Sequence, residues 1–332
     1  MNDMEIKDKE PVGAGSMKTS TKVAFWLLGI GVVLFLIGAL WFNMELNKIK
    51  DMKDTLVPTK SISEVFDAEK VKNITIDVSA LDLKIEKSGD KKVHVVGEKV
   101  PESLEVNTDG NTLTIVSKKK KWNGIKEFAL SIIEWNETDE LTVQLPEKEY
   151  DIFTLELGAG DINISNVKCR ALSLEMGAGD IDASDIDCVD FEADISAGDM
   201  NFSRVNCISA DVDMSAGDFD VENMTCETAD FDSSAGDIKI NTINCKDKLI
   251  VDNSAGNAKI INAVSGGFEG DSSAGQIYYS GTINGNITVD SSAGDVELKL
   301  TNPESDFNKN GGKYTIKVDC SAGDKTIEYN CK

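Results

Sequence analysis

The sequence predicts an all-β protein: a three-sided parallel β-solenoid of about 19 residues per rung, with an N-terminal β cap and one preceding transmembrane helix. Three observations predict it. A Gly-Asp step recurs at Gly160-Asp161, Gly179-Asp180, Gly198-Asp199, Gly217-Asp218 and Gly236-Asp237, each 19 residues from the last. Between the steps, apolar and polar residues alternate with the period of two that marks a half-buried strand. Ahead of both, Val23 to Phe42 is an unbroken uncharged run of 20 residues.

The chain has 332 residues, enough for a substantial core, and a net charge of −24. So acidic a chain repels nucleic acid and favours cationic partners or divalent metal. Nucleic-acid binding is therefore set aside.

Residues 1–22 are polar, mixed in charge, and read as a disordered tail. Residues 23–42 would span about 30 Å as a helix, the thickness of a bilayer core. Trp26 and Trp41 stand near its two ends, where aromatic belts belong. The run is too long for a cleaved signal peptide, and no A-x-A site follows it. Lys18 and Lys22 precede it while Lys48, Lys50 and Lys53 follow, so positive-inside counting is nearly balanced. A short N-terminal tail ahead of a long domain conventionally stays inside. The expectation is a bacterial cell-membrane protein, single-pass, with its C-terminal domain outside.

Residues 43–69 read as a stalk, with Met44, Ile49, Met52 and Leu56 at helical spacing and Pro58 as the stop. Residues 70–157 read as a capping region of irregularly spaced strands. Alternation runs through Ile74–Val78 and Leu81–Ile85, and Leu141–Leu145 is a further strand stopped by Pro146. Asp109-Gly110-Asn111 is a hairpin turn signal.

Residues 158–332 carry the repeats. The step continues, degraded, at Gly256-Asn257, Gly275-Gln276, Gly294-Asp295 and Gly323-Asp324. Counting each Asp as position zero, apolar residues fall at +1, +3, +6, +8, +11, +13, +15 and +17. Inward residues on a strand stay two apart, so each break in that count marks a corner. Breaks fall between +3 and +6, between +8 and +11, and across the Gly-Asp step. An antiparallel sandwich, the rival architecture, would not hold a fixed spacing through five copies.

Two ladders and one cluster are candidate sites. Asp161, Asp180, Asp199, Asp218 and Asp237 should stack about 4.8 Å apart and repel one another. The first reading makes them structural turn residues with Gly160, Gly179, Gly198, Gly217 and Gly236, the glycine supplying the backbone angle and the carboxylate bonding backbone N–H groups. The alternative is a row of calcium ions, since carboxylate oxygens are the ligands calcium prefers. Asn257 and Gln276 occupy the same slot uncharged, which suits hydrogen bonding better. No cofactor is otherwise expected.

Cys169, Cys188, Cys207, Cys226 and Cys245 form the second ladder, all at +8 and inward. Buried thiols acting as small hydrophobes are the first reading, and a partial disulfide ladder the other. Cys320 and Cys331 are a further candidate pair. The cluster is Lys118, Lys119, Lys120, Lys121 and Trp122, the opening of the one basic, aromatic stretch. It reads as a solvated turn ahead of a packed segment, or as a surface contact for anionic lipid or wall polymer.

Catalysis is not expected. His94 is the only histidine, which removes most nucleophile–base arrangements. Parallel β-helix enzymes build clefts from long loops, and these rungs carry none before residues 301–313.

The steps ending in Asp199, Asp218, Asp237, Asp295 and Asp324 read Ser-Ala-Gly-Asp. With the variants Gly158–Asp161 and Gly177–Asp180 and the strand ending in Leu145-Pro146, they resemble a bacterial family of putative adhesins with β-strand repeats. The resemblance spans roughly residues 70–332. It implies an envelope location, in some members beside stress-response regulators, and carries no catalytic or binding residues. The expected function is a non-enzymatic, membrane-anchored adhesin or surface scaffold that binds protein or glycan through its solenoid. The alternatives are an envelope-stress signalling component acting on a protein partner, or a membrane-tied polymer joined end to end. Lys325, Glu328 and Lys332 on the last rung would oppose the polymer.

Overall fold

A computed structural model describes residues 59–117, 140–307 and 311–332. The apolar run Val23–Phe42 and the Lys118–Trp122 cluster lie outside these residues. Among the described residues no helix is long and apolar enough to cross a membrane.

The N-terminal part is built from β1 (Thr59–Asp67), β2 (Asn73–Val78), β3 (Leu83–Lys87), β4 (Lys92–Pro101), β5 (Leu104–Asp109), β6 (Thr112–Ser117), β7 (Leu141–Leu145) and β8 (Glu149–Leu157). β1 pairs antiparallel with β4, so the last part of the expected stalk is instead a strand of the domain. β4 in turn pairs antiparallel with β7. β5 and β6 form the expected hairpin, with Asp109 opposite Thr112 and Gly110 at φ 60.

Parallel pairing begins well before Gly158. Ile74 of β2 lies between Leu113 of β6 and Phe153 of β8. Leu83 of β3 lies between Leu141 of β7 and Ile162. Two rungs thus precede the regular repeat, and they are stacked out of chain order. β6 and β7 lie outermost, β2 and β3 next, and the chain then returns through β8. Sequence reading could not order them because β6 and β7 are separated by residues 118–140.

Regular turns follow in β9 (Ile162–Met176), β10 (Ile181–Asp187), β11 (Asp190–Ile195), β12 (Met200–Asn206), β13 (Ser209–Met214), β14 (Phe219–Ser233) and β15 (Ile238–Ala255). They continue through β16 (Ala258–Ser265), β17 (Phe268–Ala274), β18 (Ile277–Ile283), β19 (Ile287–Ser291), β20 (Val296–Leu300), β21 (Ile316–Cys320) and β22 (Lys325–Glu328). One parallel ladder joins Ile162, Ile181, Met200, Phe219 and Ile238 in register. A second joins Ala171, Asp190, Ser209, Thr228 and Lys248. The long strands β9, β14 and β15 take part in both.

The corner expected between +3 and +6 is made by a single residue in six successive turns. Position +5 is left-handed in Asn166, Asp185, Arg204, Asn223, Thr242 and Asn262, with φ from 52 to 71. One residue in the left-handed region reverses which side chains point inward, so +3 and +6 both face the core. Asn and Asp visit that region most readily among residues with a side chain, and they supply four of the six. The spacing of 20 between Asp237 and Asn257 is absorbed at the next corner, where the register slips between Cys226 and Thr228.

The inward positions make one continuous core. Phe191, Phe202, Phe219 and Phe231 meet edge to face with ring centroids 5.0, 5.2 and 5.1 Å apart. Full burial of each such side chain contributes about 1.5–3 kcal/mol. Position +17 departs from expectation: Ala197 and Ala216 are exposed, because they already belong to the Ser-Ala-Gly-Asp corner. At the C-terminal end a short 3₁₀ turn, Glu304–Phe307, lies in the insertion between β20 and β21. Phe307 packs there against Tyr314 and Tyr329, closing the end of the core with aromatic rings.

The corner glycines admit no side chain. Gly198 has φ 135, and a Cβ on it would stand 1.8 Å from the carbonyl oxygen of Gly179. Gly198→Ala is therefore expected to cost about 4 kcal/mol and lower the melting temperature sharply. Gly110→Ala, at positive φ but with nothing within 4 Å, should cost about 1 kcal/mol. Thermal melts of the two variants check the contrast; equal losses would mean that the close approach is not what selects glycine.

Candidate functional site: the corner ladder, the acidic face and the cysteine column

At the Gly-Asp corner the chain turns and its own ladder is interrupted. The glycine N–H still finds a carbonyl, as in Gly179 to Ala197 at 3.0 Å. The following Asp N–H would be left over, and the carboxylate of the preceding rung takes it. Asp180 N donates to Asp161 Oδ1 at 3.0 Å, Asp199 N to Asp180 Oδ1 at 2.9 Å, and Asp218 N to Asp199 Oδ1 at 2.8 Å. Asp237 N, Asn257 N and Gln276 N continue the series onto Asp218, Asp237 and Asn257. It starts one rung earlier than expected, with Asp161 N donating to Asp82 Oδ1 at 3.0 Å. Ser79-Ala80-Leu81-Asp82 is thus a corner with Leu in the glycine slot, a Ser-Ala-x-Asp signal that was readable between two alternating strands.

The hydrogen bond from Asp237 holds the Asp218 carboxyl below its usual range. Among the described residues no three His, Cys, Asp or Glu side chains gather as a metal site. Each Oδ1 that would face a calcium row accepts a backbone N–H instead.

A second acidic series, missed in the sequence, runs along the outward face of the longest side at +14. Glu156, Glu175, Asp194, Asp213, Asp232 and Asp252 are successive Cα partners, and Asp271, Asp290 and Asp319 continue the row. The spacing of 19 was present in the sequence; attention to inward residues concealed it. Desolvation, then Asp271, Asp230 and Asp232, pushes the Asp252 carboxyl up to about 6. Asp213 and Asp230 are raised by the same two causes.

Cys169, Cys188, Cys226 and Cys245 are buried and Cys207 is half-buried. All seven cysteines are free, so Cys320 and Cys331 are not joined. Burial first, then neighbouring carboxylates, pushes the Cys169 thiol up to about 12. Cys207 is likewise about 12, by burial and then Cys245. Cys245 lies 3.0 Å from the Lys248 carbonyl and 3.3 Å from that of Glu227.

His94, on β4 between Val65 of β1 and Gln144 of β7, pairs its Nε2 with Asp90 Oδ1 at 2.9 Å. The described surface has shallow depressions rather than a cleft. One of about 470 Å³ lies over Asn201, Asp220, Lys239 and Lys259. Another, about 610 Å³, follows the left-handed corner past Arg204, Asn223 and Asn262.

Asp199→Ala should cost about 1–2 kcal/mol by orphaning the Asp218 N–H, whereas Asp199→Asn keeps an acceptor and should be nearly neutral. Denaturant melts compare them; an Asn variant as unstable as the Ala variant would assign the ladder to charge. The acidic face gives a pH dependence of opposite sign to acid denaturation. A carboxyl raised on folding binds its proton more tightly in the folded chain, so stability increases as pH falls through about 6 for Asp252. The lowered carboxyls, Asp218 and Asp185 among them, lose stability only below the ordinary carboxylate range. Between pH 7.5 and 5.5 a gain of a few tenths of a kcal/mol, roughly 0.4, is expected after solvent screening, and Asp252→Asn should abolish most of it. A wild-type melting temperature that is flat or falling over that range would contradict this.

The comparisons with known proteins come at the level of fold family. The Toastrack DUF4097 model matches residues 71–328. No curated protein is a detectable relative. Among solved structures, a putative adhesin from Bacteroides fragilis is 15% identical, with a TM-score of 0.35, over 82% of this chain and 98% of that one. A putative lipid binding protein from Parabacteroides distasonis is 14% identical at a TM-score of 0.41, over 82% and 98%. A putative adhesin from Parabacteroides merdae is 12% identical at 0.35, over 81% and 97%. These likenesses assign no ligand to this chain. The family match takes in most of the sequence and nearly all of both ladders, and the chain belongs to the Toastrack DUF4097 family.

Proposed function

We propose that this protein is a non-enzymatic envelope rod, anchored by Val23–Phe42 and projecting its three-sided solenoid outside the bacterial membrane to bind protein or glycan. One observation carries the reading. The described surface is a set of flat, ladder-built faces with shallow depressions, and its single histidine is occupied by Asp90. Such a surface offers contact area and periodicity rather than an enclosed reaction chamber. Solved structures named as a putative adhesin and as a putative lipid binding protein are among those this chain resembles. The anchor rests on the 20 uncharged residues alone.

The long acidic face is the natural contact for a cationic partner, because complementary charge steers encounter and discriminates against anionic surfaces. The aromatic closure by Phe307, Tyr314 and Tyr329 favours a rod that ends over one that polymerises.

Glu192 is exposed on that face. Glu192→Cys, treated in intact cells with a membrane-impermeant photo-crosslinking maleimide, tests location and binding together. Labelling before lysis, and an illumination-dependent adduct to an envelope protein or glycan, are expected beyond any seen without the engineered thiol. Labelling only after lysis would place the rod inside; labelling without any adduct would remove the binding role.

A further inference from the structure

The rungs of one chain can be compared with one another, and the comparison isolates one inward column. At +3 the residues are Ile164, Ala183, Phe202, Val221 and Ile240. Every other inward position drifts in the same way, as a core under volume constraint alone does. Position +8 does not drift: it is Cys in five consecutive turns. Burying a small apolar group would be served equally by Ala or Val, which the neighbouring columns use freely. The constant feature is sulfur.

Its geometry is unusual for a disulfide. Cys226 and Cys245 are direct Cα partners across a parallel ladder, so their side chains leave the strands in the same direction. Stacked this way, equivalent atoms sit about 4.8 Å apart. A disulfide needs sulfurs about 2.05 Å apart and inclined towards each other. A metal held between two thiolates, at about 2.3 Å from each, needs them about 4.6 Å apart. The rung spacing matches the second requirement, and the two thiols already share a hydrogen bond, so side-chain rotation rather than backbone movement would admit the metal. Tetrahedral coordination is not on offer, since no three ligating side chains converge among the described residues.

We propose that the Cys226–Cys245 pair binds a soft, two-coordinate thiophilic cation of the Cu(I) class, bridging adjacent turns. Thiolates select such ions over harder ones. Each thiol gives its proton to solvent as its sulfur–metal bond forms, and no oxidation occurs. A bare thiolate at Cys245 would face the Lys248 and Glu227 carbonyl oxygens; a bound cation turns that contact favourable. Access is provided by a depression of about 580 Å³ at this corner, lined by Cys207, Cys226 and Cys245 and by Lys246. The Lys246 ammonium is already paired with Glu227 Oε1 at 2.6 Å, so a bis-thiolate complex keeps its net negative charge.

The test uses the full chain, reduced and kept anaerobic in detergent, titrated with Cu(I) held by a chromophoric chelator. The expected result is transfer of Cu(I) to the protein, an X-ray absorption spectrum with two sulfur neighbours, and protection of Cys226 and Cys245 from maleimide. Cys226→Ser with Cys245→Ser should lose the transfer, while Cys320→Ser with Cys331→Ser keeps it. Should the first double variant fail to fold, the wild-type spectrum and protection map decide alone. Nitrogen or oxygen neighbours, protection elsewhere, no transfer, or transfer unchanged in a folded column variant would each overturn the site. So would a protein lighter by two hydrogens whose Cys226–Cys245 disulfide replaces metal uptake.

Discussion

The whole rod depends on how closely one turn's corner lies on the next. The Gly179 carbonyl sits where a Cβ of Gly198 would be, and the same contact recurs at every regular corner. That approach lets two ladders turn together and keeps their rungs in register. It also creates an unpaired N–H, which the preceding Asp accepts. The glycine sets the path and the aspartate satisfies what the path leaves over; neither residue is sufficient alone.

Several features were legible because they repeat. The period, the inward phase, the cysteine column and the parallel stacking all follow from a spacing that survives five copies. The hairpin at Gly110 followed from turn chemistry. Features that broke the period were not legible. The rung made by β6 and β7 is split by an insertion, and its place outside β2 and β3 depends on pairings remote in sequence. Thr59–Asp67 alternates only weakly, so its pairing with β4 was hidden. The break between +3 and +6 marked a corner but not the residue that makes it: Arg204 and Thr242 share the left-handed +5 position, and propensity alone would not place them there. The exposed Ala at +17 looked inward because parity continues into the corner, although the corner has already turned the chain outward.

At the candidate sites, residue type misled more than position. Aspartates at the corner invited the calcium alternative, and one oxygen of each, Oδ1, is engaged by a backbone N–H. The carboxyls held above their usual range, Asp213, Asp230 and Asp252, lie instead on the outward face of the long side, where like charges stack with few cations among them. Lys248 reaches Glu269, and Lys317 reaches Asp290 and Asp319, but among the described residues Asp213, Asp232 and Asp252 have no comparable ion pair. The fold accepts this repulsion because parallel stacking repeats whatever is outward. An exposed column of one charge is thereby amplified into a face.

The stack also makes length a discrete variable. Every regular turn receives an edge and presents an identical one, so a unit of 19 residues between equivalent glycines can be duplicated or removed with both ladders resealed. The length of the solenoid then changes in increments of about 4.8 Å. A whole turn is thus the natural unit of change, with the irregular rungs at one end and the aromatic closure at the other left in place. The rod is a ruler whose graduations are encoded one corner at a time.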